Sequence, residues 1–206
     1  MLETERLQLR AFRPDDAAAF QALAGQWDVA RMTSDIPHPL SLDDAAYWLL
    51  PAADEARFAL LQDGAMIGGA GYFLRQPGAA EFGFWLGRPY WGRGFATEAV
   101  KTVLAHALAH SSYPVFSSSH FTDNPASGRV LAKLGFEAVG TGRIWSIARG
   151  GEVTAICYQL TRQRAETLID SAAVMQAKRF PTPMLRLPLP QSGRWSSLIG
   201  RLTRSA

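Results

Sequence analysis

Residues 81–110 read EFGFWLGRPYWGRGFATEAVKTVLAHALAH, and the spacing of the apolar residues changes partway through. From Glu81 to Leu86, Phe82, Phe84 and Leu86 alternate with Glu81, Gly83 and Trp85, which is the two-residue period of a strand. From Ala96 onward, Ala96, Ala99, Val100, Val103, Leu104, Ala107 and Leu108 recur at three and four residues, so they share one buried face of a helix. Gly87, Arg88 and Pro89 break the strand, and Trp91, Gly92, Arg93, Gly94, Phe95, Ala96 and Thr97 lead into the helix. The first amides of a helix lack partners within it and carry the positive end of its dipole. Small residues there let a phosphate approach the backbone. Gly92, Gly94 and Ala96 supply that room, and Arg93 adds a cation.

Three kinds of phosphate site compete for this turn. A P-loop requires Gly-Lys-Ser/Thr at the helix start, which is missing. A dinucleotide fingerprint requires a third small residue and an acid about 20 positions on. Thr97 stands at the third position, and no Asp or Glu lies between Glu98 and Asp123. The pyrophosphate loop of an acyl-coenzyme A enzyme remains. The phrase FWLGRPYWGRGFATEAV resembles the GNAT superfamily of N-acetyltransferases, in the branch of the ribosomal-protein N-terminal alanine acetyltransferases. That family's loop, Gln/Arg-x-x-Gly-x-Gly/Ala, is matched at Gly94 and Ala96; Trp91 replaces the Gln or Arg, a departure typical of the branch. TERLQLRAFRPDDAAAF near the N-terminus and NPASGRVLAKLGF from Asn124 resemble the same branch, so the likeness covers roughly Leu2 to Arg162.

The resemblance implies an α/β (α+β) GNAT fold: a mixed, mostly antiparallel sheet flanked by helices over residues 1–162, followed by a basic, proline-containing extension over 163–206. It implies acetyl-CoA as co-substrate, no metal, and direct transfer of the acetyl group to a primary amine within a ternary complex. The backbone of Phe84, Trp85 and Leu86 would hold the pantetheine arm and polarise the thioester carbonyl. Their side chains are read equally well as core. Asn124 would bond the pantetheine, with the Ser127 hydroxyl near the sulfur to return a proton; the plainer reading makes Asn124 a helix cap and Ser127 a first-turn serine. Some members of the branch carry a glutamate near the position of Ser146, so another base is needed here. Glu81 is the candidate, against a reading as an exposed surface acid. Asp35 and His38 sit on the loop that borders the acceptor site in the family. His106 and His110 are expected on the surface of the central helix, and His120 as a structural histidine. A protein that binds CoA as a sensor or scaffold without catalysis is the alternative from another class.

Acceptor chemistry has a basis of its own. An α-amine with a pKa near 7.7–8.0 is roughly a tenth or more neutral at pH 7, whereas lysine near 10.4 is neutral less than about one time in a thousand. A site without a clear strong base therefore suits an α-amine, in a protein N-terminus or a small molecule.

The 206 residues suffice for one domain with a substantial core. The single cysteine, Cys157, excludes an internal disulfide and a Cys-cluster metal site, and fits a reducing cytoplasm. Neither a secretory signal nor a run of about 20 apolar residues is present. Net charge divides unevenly: residues 1–161 hold 13 basic and 16 acidic residues, residues 162–206 hold 8 and 2.

Other elements follow from local signals. Leu7–Phe12 alternates as a first strand, and Pro14, Asp15 and Asp16 open a helix. Gln26–Leu40 is irregular. Ser41 caps a helix through Trp48, and Phe58–Gln62 and Met66–Leu74 form a hairpin around Asp63 and Gly64. A further turn is expected over Gln76–Ala80. Val115–Phe121 is a strand, Asn124 and Pro125 begin a helix, Gly135 ends it, and Phe136–Thr141 and Val153–Leu160 are the last strands. A single helix is expected over Gln163–Lys178. Beyond it, Pro181, Pro183, Pro188 and Pro190 impose an extended stretch, and Trp195, Leu198, Ile199 and Leu202 recur at helical spacing beside arginines. That stripe suits packing on the body or on a dimer mate, against docking on nucleic acid, an acidic protein or a membrane surface.

Overall fold

Alternation of strand-period and helix-period segments builds one eight-stranded sheet with helices on both faces. The computed structural model describes residues 1–51, 55–76 and 78–180. The proline-rich stretch from Pro181, the Trp195 stripe, and Pro77 of the expected Gln76–Ala80 turn lie outside the described residues.

The strands are β1 (Leu2–Glu3), β2 (Gln8–Ala11), β3 (Glu55–Gln62), β4 (Ala65–Gln76), β5 (Ala79–Leu86), β6 (Val115–Phe121), β7 (Glu137–Ser146) and β8 (Gly151–Thr161), in sheet order β1-β2-β3-β4-β5-β6-β8-β7. Every neighbouring pair is antiparallel except β5 with β6. A parallel pair needs a long crossover, and α4 (Phe95–His110) supplies it. The β3–β4 hairpin turns at Asp63 (φ 51°) and Gly64 (φ 79°), both left-handed, as a two-residue primed turn demands.

The alternation in β5 sorts its side chains to the two faces. Phe82 and Leu86, with Phe84 at the margin, join the core beneath α4, α5 (Pro125–Lys133), α6 (Arg162–Leu168) and α7 (Ser171–Ala177). Trp85 joins the smaller core beneath α1 (Ala17–Ala24), α2 (Trp27–Ala30) and α3 (Leu42–Trp48), edge-on to Phe20 at 5.3 Å between ring centroids. A flat indole on the sheet requires a bare strand beside it. A Cβ at Gly69 on β4 would lie 2.7 Å from Trp85 Nε1.

Local chemistry sets the ends of the helices. The Ser41 hydroxyl accepts from the Asp44 amide at 3.0 Å, capping α3. After α5 the Phe136 amide donates to the Leu131 carbonyl and the Gly135 amide to Ala132, both at 3.1 Å, the paired bonds of a Schellman motif.

Two expectations are corrected. The segment 163–178 is not one helix: Ile169 is extended (φ −101°, ψ 126°), and Asp170 caps a second helix by accepting from the Ala172 amide at 2.9 Å. Ala165 and Ile169 on one side of the break and Ala177 on the other all reach the core. His106 is not at the surface but 0% exposed, with its Nδ1 accepting from the Tyr72 hydroxyl at 3.1 Å and its Nε2–H donating to the Phe180 carbonyl at 3.2 Å. His110 also faces α7, with its Nε2 donating to the Ala177 carbonyl at 2.9 Å.

Candidate active site

Strands β5 and β6 fork. They pair from Ala79↔Val115 to Phe82↔Ser118 and no further, while β5 stays bonded to β4 as far as Leu86↔Gly68 and β6 to β8 as far as Phe121↔Ala155. At the crotch the Ser118 hydroxyl donates to the Phe82 carbonyl at 2.9 Å. From Gly83 onward, β5 therefore presents a strand edge that β6 no longer satisfies. Phe84, Trp85 and Leu86 lie along this edge, but differently. The Leu86 carbonyl accepts from Trp91 Nε1 at 2.7 Å, and the Trp85 side chain is core, so the ring takes the plainer of its two readings.

The edge leads through a short 3₁₀ turn at Arg88–Tyr90 to the start of α4. Gly94 is the N-cap with φ 82°, a conformation that other L-residues seldom adopt, and it has no side chain to occupy the first amides. Trp91, Gly92, Arg93 and Gly94 are exposed, and a Cβ at Gly92 would meet nothing within 4 Å. Phe95 is buried as the anchor of the turn, and Ala96 and Thr97 are half-buried. The Arg93 guanidinium lies 4.7 Å from the Phe95 ring centroid. An extended ligand with an anionic group fits these residues: free amides for the anion, a strand edge for the remainder.

On β6's side of the fork, Asn124 caps α5 through Oδ1, which accepts from the Ser127 amide at 3.3 Å. Capping uses the oxygen of the side chain; its NH₂ end is the donor left for a ligand carbonyl. Both Asn124 and Ser127 are half-buried.

The opposite face carries Glu81, half-buried, in register with Ser117 on β6. On this floor of the sheet, burial, and next the charge of Glu81, push the Cys157 thiol above its ordinary value, which disfavours a thiolate nucleophile. Asp35 and His38, the acceptor-side candidates, are both hydrogen-bonded within the region from α1 to α3. Asp35 Oδ2 accepts from Trp48 Nε1 at 2.9 Å, and His38 Nδ1 bonds the Gly25 carbonyl at 2.8 Å with its ring 5.3 Å from Trp27. Ser146 is fully buried and donates to the Thr33 carbonyl at 3.2 Å.

Sequence reasoning missed a bridge over the floor. The tip of the β7–β8 hairpin meets the loop after α2: the Ile147 amide donates to Ser34 at 3.0 Å and Arg149 Nε to the Arg31 carbonyl at 2.7 Å. Asp123, just before the Asn124 cap, accepts from both Arg31 (2.7 Å) and Arg149 (2.9 Å). No single stretch signals this, because its members come from three separate segments.

A forked sheet beside a bare helix start defines a protein built to hold a long, partly anionic ligand across the edge of its sheet. The family described as acetyltransferase (GNAT) domain matches residues 6–137, and the chain belongs to that family of acyl-CoA-dependent acetyltransferases. The SPbeta prophage-derived uncharacterized N-acetyltransferase YokL of Bacillus subtilis (strain 168) is 29% identical over 167 residues, covering 79% of this chain and 93% of that protein. The ribosomal-protein-S5-alanine acetyltransferase of Vibrio fischeri superposes with a TM-score of 0.67 at 19% identity, over 78% of this chain and 96% of its own. The spermidine N-acetyltransferase of Vibrio cholerae, solved with CoA and spermine, gives 0.68 at 16% identity, over 79% and 99%. These two likenesses show the shared fold. Among the described residues, no group of three or more His, Cys, Asp or Glu could hold a metal, and no helix is long and apolar enough to cross a membrane.

Proposed function

We propose that the chain transfers an acetyl group from acetyl-CoA directly to a primary amine, with both substrates bound together. The observation that carries this reading is the meeting of two unsatisfied backbone edges, the Gly94-led start of α4 and the β5 edge beyond Phe82. The amides of Gly92 to Thr97 would receive the diphosphate with Arg93 beside it, and the edge at Phe84 and Trp85 would align the pantetheine arm like an added strand. Asn124 would donate its NH₂ end to a carbonyl of that arm. Acetyl-CoA supplies an activated acetyl carbon; the residues of this chain orient it and manage protons. Ser127, in the first turn of α5, returns a proton to the departing sulfur, and Glu81 takes one from the incoming amine.

One candidate carboxylate on the floor favours an acceptor that is already partly neutral near pH 7. An α-amine meets that condition and a lysine side chain does not. Asp123 is paired with Arg31 and Arg149, and Asp28 with Arg88 at 2.8 Å.

Release of free thiol from acetyl-CoA, measured over N-terminal peptides, free amino acids, polyamines and aminoglycosides, tests the reading. Turnover is expected, fastest with α-amines. Thermal stabilisation by CoA without turnover on any acceptor would favour the sensor or scaffold instead. Thr97→Glu keeps a good helix-start residue but sets a negative charge in the first turn, and is expected to abolish CoA binding in a folded protein.

A further inference from the structure

Arg6 reaches across from the N-terminal segment to the same turn. Its Nη1 donates to the Arg93 carbonyl at 3.0 Å, and its Nε and Nη2 donate to Glu98 Oε2 at 2.8 and 2.6 Å. The Arg6 backbone amide donates to Glu98 Oε1 at 3.0 Å, and the Thr4 hydroxyl bonds that same oxygen. The guanidinium lies 4.7 Å from the Phe95 ring centroid, and a Cβ at Gly94 would come within 3.4 Å of Nη2. A residue distant in sequence thus touches Arg93, Gly94, Phe95 and Glu98, the turn and the first turn of the helix at once.

Two physical consequences follow. Turning the Arg93 carbonyl toward Arg6 keeps an acceptor oxygen away from the place where an anion would sit. Glu98 lies in the first turn of α4, where a carboxylate stabilises an empty helix start but repels a diphosphate. Arg6 neutralises it. Arg6 is 44% exposed, so this ion pair adds little to overall stability, and its removal leaves a folded protein in which to read its effect on binding.

We propose that Arg6 is a positioning residue for the pyrophosphate turn: it fixes the Arg93 carbonyl and masks the Glu98 charge, so that the amides of the turn face a diphosphate. The inference rests on the acyl-CoA reading above and adds a residue outside the turn itself.

The test is titration calorimetry of the full chain with CoA and, separately, with pantetheine, which has no diphosphate. Arg6→Ala is expected to weaken CoA about ten-fold, the scale of one charge-assisted contact, and to leave pantetheine unchanged. Arg6→Ala combined with Glu98→Gln should recover part of the CoA affinity, because the unmasked charge is then gone. In steady state, kcat/KM should fall for acetyl-CoA and hold for S-acetylpantetheine. CoA affinity equal to wild type in Arg6→Ala, or an equal loss for both acyl donors, overturns the role of Arg6. Binding that is lost in Thr97→Glu but kept in Arg6→Ala sinks only this inference, whereas a wild-type protein indifferent to CoA sinks the function on which it rests.

Discussion

Ser127 stands at the start of α5 and Glu81 on β5, so the two proposed proton-handling roles fall to different elements. Ser127→Ala is predicted to lower kcat about ten- to a hundred-fold with a smaller change in KM for acetyl-CoA, checked by steady-state kinetics on the best acceptor. Loss of both parameters in proportion to a fall in melting temperature would count against the assignment. His106 makes a prediction of another kind. Burial first, and the neighbouring His110 second, lower its pKa from 6.5 to about 4. The folded value lies below the unfolded one, so as pH falls the unfolded chain takes up the proton first. Stability from this group is complete above about pH 6.5 and lost between there and about pH 4, by up to about 3 kcal/mol. Urea unfolding at a series of pH values should show that slope, and His106→Gln, which can still donate and accept, should flatten it. Sequence alone left His106 at the surface because periodicity sorts apolar positions. A buried polar one is settled by its partners, here Tyr72 and Phe180.

At the scale of elements, α4 was the most legible part of the chain. Its Val100, Val103, Leu104, Ala107 and Leu108 are buried as their spacing required. Leu104→Ala is predicted to cost about 2–5 kcal/mol in denaturant unfolding, through lost transfer energy and the cavity left behind. The bridge between the β7–β8 hairpin and the loop after α2 was not legible, because it is a contact between elements distant in sequence. Asp123→Ala frees Arg31 and Arg149 together. Since all three side chains are partly exposed, the stability change should stay within about 1 kcal/mol. KM for the acceptor should rise several-fold while KM for acetyl-CoA holds; the reverse pattern would place Asp123 in the cofactor site instead. The break at Ile169–Asp170 belongs to the same scale. Either half of 163–178 is a fair helix locally, and packing on β8 and α4 decided that they part.

Across the whole molecule, residues 162–180 pack into the domain. Ala165, Ile169 and Ala177 enter the main core, and Arg162 donates to the Leu108 and Ser111 carbonyls at 2.6 and 2.9 Å, closing the C-terminal end of α4. A chain ending at Asp170 is predicted to melt well below one ending at Phe180, because removal of α7 uncovers His106 and His110 as well as apolar surface. Equal melting temperatures by differential scanning calorimetry would refute that.

What the amino-acid sequence determined by itself was whatever depends on neighbours in the chain: the strand, glycine turn and helix of residues 81–110, the Ser41 and Asn124 caps, the Asp63–Gly64 hairpin and the chemistry suited to a bare helix start. What only the tertiary structure decided was which distant groups meet. The fork at Phe82↔Ser118, Arg6 against the pyrophosphate turn, and Asp123 between two arginines are juxtapositions across the sheet. Periodicity and capping are short-range and repeat along a chain, so they can be read from it. The pairing of buried or charged groups depends on the register in which strands and loops close, and no local pattern encodes that.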